Sequence, residues 1–493
     1  MLAAFALASP VAFGKALEKH RWIELRTPNF LVRSLLNDKE TIELARKLET
    51  FRVVASILTN TELIESPVPT VIYALGNASI TKSFGLPGNV AGIFNSGLRN
   101  NTIVLRNTFG MDDSVIIMHE YVHFLLRNHN GLNYPTWFNE GFAEYLSATR
   151  IDGETVTVGA VPKHRLSSFH YQSWIPMQSI LSAEDLDKWG AAPKAMFYAE
   201  AWALVHYLQH RKDSDEPFGR EMAHYLTLVD SGKDSVEAFE QAFGITTQRL
   251  DNAIQRYVGG YAIPGLVLTI NDPLSGFDPE VKILSREEIS LHLGQAALGL
   301  GGPERAEHWF EVAATDSDYR PRAEAGLGDV LKLNDELEAA EPHYERAVEL
   351  APDDPYCHLD FAEYWHYRAE KSDDEASRAQ YIAKARQQYV RAWTIDHSIP
   401  EVYAMYGESF LIGNQNFAKA TQMLEEAQHL LPSSIRVRAA LAEAYLGANR
   451  FDEAATMARS ALAWSHGDPD VEKRAQDVLD KLAVRSKRDP DSP

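Results

Sequence analysis

The spacing of hydrophobic residues changes along the chain, and these changes predict which segments form helices and which form strands. Apolar residues recur at helical spacing over Asp38–Thr59, where every third or fourth residue falls on one face. Short apolar runs bounded by turn residues predict strands and hairpins over Trp22–Thr27, Phe30–Ser34, Val68–Leu75, Val90–Asn95, Thr102–Arg106 and Ile151–Ala160. The N-terminal half is therefore expected to be α+β, with a mixed sheet packed against helices.

The helix predicted around residues 115–126 is apolar nearly all round, yet it carries His119, Glu120 and His123. Such a helix is buried in a domain core, where polar side chains are costly unless they are paired or bind a metal. Histidines four residues apart project from one face about a turn apart, so both imidazoles can bind one ion. The pattern alone is weak, because composition produces it in roughly one chain in a hundred of this length.

A second helix, predicted over Trp137–Ala148 with Thr136 as its cap, carries Glu140 and Glu144 on one face. The intervening residues, 124 to 139, are enough for the first helix to end and for the second to return antiparallel. Zinc accepts imidazole and carboxylate ligands, and a catalytic zinc has three protein ligands with a fourth position open for water. Glu140 is therefore the candidate third ligand beside the two histidines.

These two segments resemble the gluzincins, and more closely the peptidase MA-like proteins and the membrane alanyl aminopeptidase family. Members of these groups combine HExxH with a later Asn-Glu-Gly-Phe-Ala type stretch, which Asn139–Ala143 matches residue for residue. The resemblance implies a gluzincin-type zinc metallopeptidase domain in which His119, His123 and Glu140 bind Zn2+. Glu120 would then be the general base that takes a proton from the metal-activated water.

Two further roles are predicted, that of Tyr198 from the resemblance and that of Glu144 from its place one turn beyond Glu140. In the aminopeptidase family a tyrosine followed three residues later by glycine stabilises the oxyanion, and Tyr198 matches this tyrosine, whereas Ala201 replaces the glycine. The alternative is that Tyr198 is a core aromatic of an apolar helix. Glu144 is expected to accept a hydrogen bond from a ligand histidine, or else to be a plain surface glutamate. The family's Gly-x-Met-Glu-Asn type amine anchor has no copy in the chain, which favours endopeptidase action over aminopeptidase action.

Beyond a Gly- and Pro-rich stretch over residues 259–279, the pattern becomes that of repeated helix pairs. Small and aromatic residues recur in the register of tetratricopeptide repeats at Ala340-Tyr344-Ala347-Pro352, Ala385-Tyr389-Ala392, Ala420-Leu424-Ala427-Pro432 and Ala454-Ala458-Ala461. Four to five such units between Arg286 and Leu482 predict an all-α tetratricopeptide solenoid. Its concave groove would bind a protein or peptide partner.

These patterns divide the chain into consecutive ranges. They predict a signal peptide or its remnant (1–16), a zinc metallopeptidase-like domain (20–260), a linker (261–285), a tetratricopeptide solenoid (286–482) and a disordered tail (483–493). Within the metallopeptidase-like domain, an irregular loop is expected over Val161–Trp189 and helices over Pro217–Asp230 and Ser235–Val258.

Composition narrows the class of partner and the compartment. The 493 residues carry a formal net charge of -21. Neither nucleic acid nor an anionic membrane is expected as the main partner, because binding to either requires a positively charged surface. Cys357 is the single cysteine, which excludes a disulfide framework or a cysteine-ligated zinc within one chain. The apolar segment Leu2–Gly14 is too short to span a bilayer and has the length of a secretory h-region, although no positive charge precedes it. A secreted or periplasmic location is expected, with a cytoplasmic one as the alternative.

Two function classes fit this sequence. The first is a zinc-dependent peptidase that hydrolyses a peptide or protein substrate and whose repeats bind proteins. The alternative is a non-catalytic scaffold or binding protein with an inactive or structural zinc domain. Structural zinc usually has four protein ligands and has no use for a general base, so the presence of Glu120 beside His119, His123 and Glu140 favours the peptidase.

Overall fold

The computed structural model describes residues 17–59, 68–76, 80, 84, 92–106, 111–130, 134–184, 186–211, 218–231, 233–260, 263–414, 416–465 and 468–488. The described residues form two compact units. The first lies within Met1–Thr41, Glu65–Arg106 and Pro279–Pro493, and the second lies within Ile42–Ile64 and Asn107–Asp278. Residues 1–16, for which a signal peptide is predicted, lie outside the described residues.

The strands of the described residues form two sheets. In chain order they are β1 (Ile23–Arg26), β2 (Phe30–Ser34), β3 (Thr70–Ala74), β4 (Gly92–Ser96), β5 (Asn101–Leu105), β6 (Arg150–Asp152), β7 (Thr155–Val158), β8 (Leu266–Thr269) and β9 (Val281–Ile283). A six-stranded sheet in the order β4-β5-β3-β2-β1-β9 belongs to the first unit. It is parallel at β2–β3 and β3–β5 and antiparallel elsewhere, which confirms the predicted mixed sheet. The antiparallel sheet β6-β7-β8 belongs to the second unit.

The second unit is otherwise helical. Its helices are most of α1 (Asp38–Thr59), α2 (Met111–Asn130), α3 (Thr136–Ser147), α4 (Lys163–Tyr171), α5 (Met177–Leu181), α6 (Ala191–His210), α7 (Phe218–Asp230), α8 (Ser235–Phe243) and α9 (Thr247–Val258). Its aromatic core contains Trp137, Trp202, Tyr225 and Phe239, each fully or almost fully buried. Helices α3 and α6 are buried along most of their length, which explains why their sequences are rich in apolar residues.

The first unit continues as a series of helix pairs. They are α10 (Arg286–Gly299) with α11 (Pro303–Ala313), α12 (Arg320–Leu333) with α13 (Leu337–Leu350), α14 (Pro355–Lys371) with α15 (Glu375–Ile395), α16 (Pro400–Ser409) with α17 (Phe417–Leu430), and α18 (Ile435–Gly447) with α19 (Phe451–Trp464); a last helix, α20 (Pro469–Arg488), follows. The predicted repeat positions Ala340, Tyr344 and Ala347 are fully buried. At Gly328 a Cβ would lie 2.8 Å from the ring of Tyr344, so the glycine is what allows α12 and α13 to pack this closely.

The six-stranded sheet shares its hydrophobic core with the first helix pair. Trp22, Tyr73 and Val104 of the sheet segments lie in one cluster with Trp309 and Phe310 of α11. The Tyr73 hydroxyl also donates a hydrogen bond to the His292 carbonyl at 3.0 Å. The sheet therefore covers an apolar face that the first repeat would otherwise expose.

Several predicted boundaries differ from the structure. The range 161–189 contains α4 and α5, each entered from a proline, rather than an irregular loop. The helix predicted over Ser235–Val258 is two helices, because Gly244 adopts a left-handed conformation with φ 65° that ends α8. The linker range 261–285 carries β8 and β9, and α20 continues to Arg488 within the range predicted as a disordered tail. None of the described helices is both long and apolar enough to cross a bilayer.

Candidate metal centre

Helix α2 buries the residues that follow its two histidines. Val122, Phe124 and Leu125 are buried, so these apolar side chains pack the helix into the core of the second unit. The rings of His119 and His123 lie edge to face with centroids 4.8 Å apart, as expected for residues one turn apart. Glu120 is exposed to solvent, so its carboxylate is free of the desolvation that constrains its neighbours.

Helix α3 brings the carboxylates to these histidines. The helix begins after Pro135, which has extended backbone geometry, and Thr136 does not cap it. The Thr136 hydroxyl instead donates a hydrogen bond to the Glu184 carbonyl at 3.2 Å. The prediction of Thr136 as the cap is therefore wrong, because its hydroxyl is engaged by a distant segment, while the predicted helix itself is present.

Gly141 allows α3 to approach α6 closely. A Cβ at this position would lie 2.3 Å from the Ala201 carbonyl oxygen and 2.9 Å from Val205 Cγ2. A backbone carbonyl cannot rotate away as a side chain can, so any larger residue would force the two helices apart. The glycine of the Asn-Glu-Gly-Phe-Ala stretch thus has a packing role here, and it holds the helix of Glu140 against the helix of Tyr198.

The two histidines and Glu140 converge on one point. His119 Nε2 lies 3.1 Å from His123 Nε2 and 3.1 Å from Glu140 Oε2, and His123 Nε2 lies 3.4 Å from the same Oε2. A tetrahedral zinc with bonds of about 2.0–2.2 Å separates its ligand atoms by roughly 3.3–3.5 Å. Among the described residues, these three form the one group whose ligand atoms could hold a metal ion together.

The other ring nitrogens face acceptors that fix their protonation. His123 Nδ1 lies 3.0 Å from Asn139 Oδ1, and His119 Nδ1 lies 3.4 Å from Glu144 Oε1. An oxygen acceptor requires Nδ1 to carry the proton, which leaves the Nε2 lone pair free. Asn139 and Glu144 therefore select the tautomers in which both Nε2 atoms can act as ligands.

Arg165 of α4 holds Glu144 in place and also contacts Tyr198. Its Nε donates a hydrogen bond to Glu144 Oε2 at 3.1 Å, and its Nη2 donates to Oε1. The Glu144 side chain is 2% exposed, so this bidentate pair compensates a carboxylate that would otherwise be costly to bury. The Arg165 guanidinium carbon also lies 4.7 Å from the centre of the Tyr198 ring.

The charges of the cluster are strongly coupled. Burial works against a charged His119, whereas its hydrogen bond to Glu140 and the surrounding carboxylates raise its pKa above the ordinary histidine value. Burial also works against a charged Glu140, but His123 and His119 hold the pKa of that carboxyl well below its usual range. The centre thus favours an ionised carboxylate with positive charge beside it.

This donor set fits a zinc ion. In the tautomers selected by Asn139 and Glu144, two nitrogen lone pairs and a carboxylate oxygen face one another within 3.4 Å. A proton on His119, whose pKa is raised, can relieve the repulsion between these atoms, and a bound cation would take the place of that proton. Imidazole and carboxylate ligands are those that zinc commonly takes, and three protein ligands leave a position open.

Tyr198 of α6 lies beside the cluster. Its ring centroid is 6.1 Å from that of His119 in an edge-on arrangement. Burial, followed by the charge of Glu140, raises the pKa of the phenol above its ordinary value, so the group stays protonated and can donate a hydrogen bond. Ala201, which departs from the family's glycine, lies where Gly141 makes the close approach instead.

The structure therefore brings all six predicted site residues into one neighbourhood, namely His119, Glu120, His123, Glu140, Glu144 and Tyr198. Arg165 and the Asn139 side chain also belong to this neighbourhood, and the sequence patterns do not predict a role for either. Asn139 belongs to the recognised stretch, and its place before Glu140 was a usable signal. Arg165 lies in a segment predicted as a loop, and a single arginine there gives no sign of its partner.

Family models match three parts of the chain. A model described as a protein of unknown function (DUF1570) matches residues 113–224, a range that contains every residue of the candidate centre. Tetratricopeptide repeat models match residues 325–354 and 411–476. None of the curated proteins matches the chain.

Several solved structures are similar to part of the chain. TTC0263, a thermophilic TPR protein in Thermus thermophilus, is 23% identical with a TM-score of 0.35, over 39% of this chain and 98% of that chain. The MamA protein is 16% identical with a TM-score of 0.28, over 36% and 90%. YrrB, a TPR protein with an unusual peptide-binding site, is 13% identical with a TM-score of 0.27, over 40% and 90%.

The repeat matches confirm the predicted tetratricopeptide repeats. Repeats of this type form solenoids with extended binding surfaces, so the C-terminal part of the chain is a scaffold suited to binding a protein partner. The gluzincin resemblance of the second unit stays a prediction, because the family model that covers it describes no activity.

Proposed function

We propose that the chain is a zinc-dependent peptidase of the gluzincin type with a tetratricopeptide domain for protein binding. The observation that carries this proposal is the convergence of His119 Nε2, His123 Nε2 and Glu140 Oε2 within 3.4 Å of one another. These three residues would hold Zn2+, and an exposed carboxylate, Glu120, follows His119 directly. A structural site has no need of that carboxylate.

When bound, zinc would polarise the scissile carbonyl and lower the pKa of a coordinated water. Glu120 would accept a proton from that water and later deliver it to the leaving amine, as a general base and then a general acid. Its exposed position lets it exchange that proton between turnovers. Tyr198 remains protonated next to the cluster and would donate a hydrogen bond to the developing oxyanion.

The residues around the ligands would keep this geometry rigid. Arg165 donates hydrogen bonds to Glu144, whose carboxylate faces His119 Nδ1, and Asn139 faces His123 Nδ1. Ligand histidines held in this way keep their orientation and basicity, and loss of such partners typically costs about ten- to a hundredfold in metal affinity or activity. The repeats would bind the peptide or protein substrate, or a partner protein that delivers it.

A second candidate function is that of a non-catalytic binding protein. It is favoured by the tetratricopeptide matches over residues 325–354 and 411–476, since these repeats suffice for a scaffold and carry no catalytic group. In this alternative the centre would bind zinc only to stabilise the second unit. The two candidates differ in one respect, which is whether Glu120 is needed for turnover.

Cleavage of a peptide library by the wild-type chain and by Glu120→Gln tests the proposal. The amide is nearly isosteric with the carboxylate but cannot accept a proton, so turnover should fall by about a hundredfold to ten-thousandfold while bound zinc is unchanged. Mass spectrometry of the products gives the cleavage sites. Absence of zinc-dependent cleavage by the wild type, or equal cleavage by both proteins, would favour the scaffold.

Tyr198→Phe separates charge stabilisation from proton transfer. Loss of one oxyanion donor should lower kcat by roughly a hundredfold to a thousandfold, with zinc content and KM little changed. If Tyr198→Phe keeps the wild-type kcat while Glu120→Gln abolishes turnover, the zinc mechanism stands. Tyr198 then returns to the packing role of an apolar helix.

A further inference from the structure

The turn between β4 and β5 inserts two side chains into the repeats of the first unit. The Gly97 N–H donates a hydrogen bond to the Asn100 carbonyl at 3.0 Å, which closes a four-residue turn with Leu98 and Arg99 at its centre. Leu98 packs against the cluster of three buried residues Ala404, Ala427 and Val437. These three residues belong to α16, α17 and α18, so Leu98 packs against a cluster that three consecutive repeat helices form.

Arg99 is bound more closely than a surface arginine. Its Nη2 lies 2.6 Å from Asp360 Oδ1 and its Nε lies 2.6 Å from Glu401 Oε2. Its guanidinium carbon is 5.1 Å from the centre of the Tyr356 ring. Asp360 and Tyr356 belong to α14 and Glu401 to α16, which are the first helices of successive pairs.

The repeats provide an acidic environment that a cation must neutralise. Burial raises the pKa of Asp360 to about 6 even though Arg99 lowers it, and burial and the neighbouring Glu401 raise the pKa of Glu363 to about 7. Lys332 donates to Asp329 Oδ1 at 2.7 Å, and its charge also lowers the pKa of Glu363, so it compensates part of this negative charge. If Arg99 moved away, Asp360 and Glu401 would lose the cation with which they form ion pairs. Both carboxylates are mostly buried, so leaving them unpaired would be costly.

The contact of the turn with the repeats has two parts. It consists of one apolar pocket formed by Ala404, Ala427 and Val437, and one acidic and aromatic pocket formed by Asp360, Glu401 and Tyr356. Two adjacent side chains fill both pockets. Leu98 and Arg99 come from the tip of a hairpin whose outer strand, β4, pairs with β5 alone.

We propose that this surface of the repeats binds a segment of a partner protein that presents an apolar residue followed by arginine, and that Leu98–Arg99 occupies it in cis until a partner displaces the turn. The partner chemistry follows from charge complementarity, since the pocket carries two carboxylates for one guanidinium. The inference deepens the proposed partner-binding role of the repeats and is independent of the proposed hydrolysis. The alternative is that Leu98 and Arg99 form a permanent structural contact between the hairpin and the repeats.

The probe that distinguishes these two is a fluorescent, disulfide-cyclised peptide of residues 92–105, tested against the full-length chain. A segment tethered in cis competes at an effective concentration on the order of millimolar. A peptide with a Kd of about 10 μM should therefore bind Leu98→Ala/Arg99→Ala on the order of a hundredfold more tightly than it binds the wild type. All proteins carry Glu120→Gln, so that hydrolysis cannot remove the probe and a failure of binding says nothing about catalysis.

Matched controls identify the pockets. Arg26→Ala removes an exposed arginine of the same unit and should leave peptide binding at the wild-type level. Addition of Asp360→Asn and Glu401→Gln to the opened variant should abolish binding, and so should replacement of the arginine of the peptide by alanine. A folded Leu98→Ala/Arg99→Ala variant that binds the peptide no more tightly than the wild type would overturn the proposal.

Hydrogen exchange of the wild type keeps the proposal testable if the opened variant fails to fold. A saturating concentration of the peptide should increase amide exchange over residues 98–101, because the turn leaves its pockets. The peptide concentration must be well above the effective concentration of the tethered turn. Unchanged exchange under these conditions would mean that the turn is a permanent structural contact. That result would contradict the proposal.

Discussion

The histidines of the second unit show how hydrogen-bond partners decide what a residue can do. His206 is fully buried, and its Nε2 donates to the Gly159 carbonyl at 2.9 Å while its Nδ1 accepts from the Tyr257 hydroxyl at 2.8 Å. Burial lowers the pKa of His206 to about 4, so it is a neutral packing residue. His119 and His123 face Glu144 and Asn139 through Nδ1, and their Nε2 atoms face each other and Glu140, where a metal could replace the shared proton.

Glu200 gives a prediction for the pH dependence of stability. Burial raises its pKa to about 8; its Oε1 accepts from the Ile175 N–H at 2.7 Å, and its Oε2 has no hydrogen bond from the described residues. In the unfolded chain a glutamate has a pKa of about 4.3, so between that pH and about 8 the folded state retains a proton that the unfolded state has lost. The free energy of unfolding contributed by Glu200 therefore falls as the pH rises through this window.

The variant Glu200→Gln cannot ionise and should escape this loss. Its free energy of unfolding relative to the wild type should increase between about pH 5 and pH 9, as measured by denaturant titration at each pH. The exposed Glu237→Gln on α8 serves as the control and should show no such trend. A constant difference between Glu200→Gln and wild type across the pH range would mean that the carboxyl is ionised in the folded protein.

Whole helices were predictable where packing is continuous, and their ends were not. Helices α2, α3 and α6 are buried on several sides, so their apolar residues identify them, and the candidate ligands follow from their spacing on these helices. The division of the 235–258 range depends on the left-handed backbone at Gly244, and the pairing of β8 with β7 depends on residues distant in sequence. Local periodicity contains neither kind of information.

The close contact of Gly141 with the Ala201 backbone sets how near α3 lies to α6. Gly141→Ala should destabilise the second unit by about 1–3 kcal/mol, because overpacking against the Ala201 backbone cannot be relieved by a rotamer change. Thermal melting should show the loss, and zinc affinity should fall with it because α3 carries Glu140. Gly219→Ala is the matched control on α7, where a Cβ meets nothing within 4 Å, and should change stability by no more than about 0.5 kcal/mol. Equal melting of both variants would show that α3 and α6 are farther apart than described.

At the scale of the whole molecule, the compact units do not follow the order of the sequence. The six-stranded sheet belongs with the repeats, and residues 107–278 form most of the second unit between β5 and β9. The predicted boundary at residues 261–285 marks a change of periodicity, and periodicity does not reveal which strand pairs with which. The shared core of Trp22, Tyr73 and Trp309 is a long-range contact that no local pattern contains.

A fragment of residues 286–493 tests this organisation. It should remain helical by circular dichroism but bind a hydrophobic dye and melt below the full chain, because the apolar face of α10 and α11 loses the sheet that covers it. A matched fragment in which Gly-Ser linkers replace both residues 42–64 and residues 107–278 keeps the sheet and should bind little dye. If residues 286–493 alone melt like the full chain without binding dye, the repeats are independent of the sheet.

The central claim is that His119, His123 and Glu140 form one metal site, and zinc content measures it most directly. Elemental analysis of protein purified with zinc present should give about one zinc per chain. His123→Ala should lose most of it, whereas His170→Ala, which removes an exposed histidine outside the cluster, should retain it. Undiminished zinc in His123→Ala, or a wild-type chain that takes up none, would contradict the account.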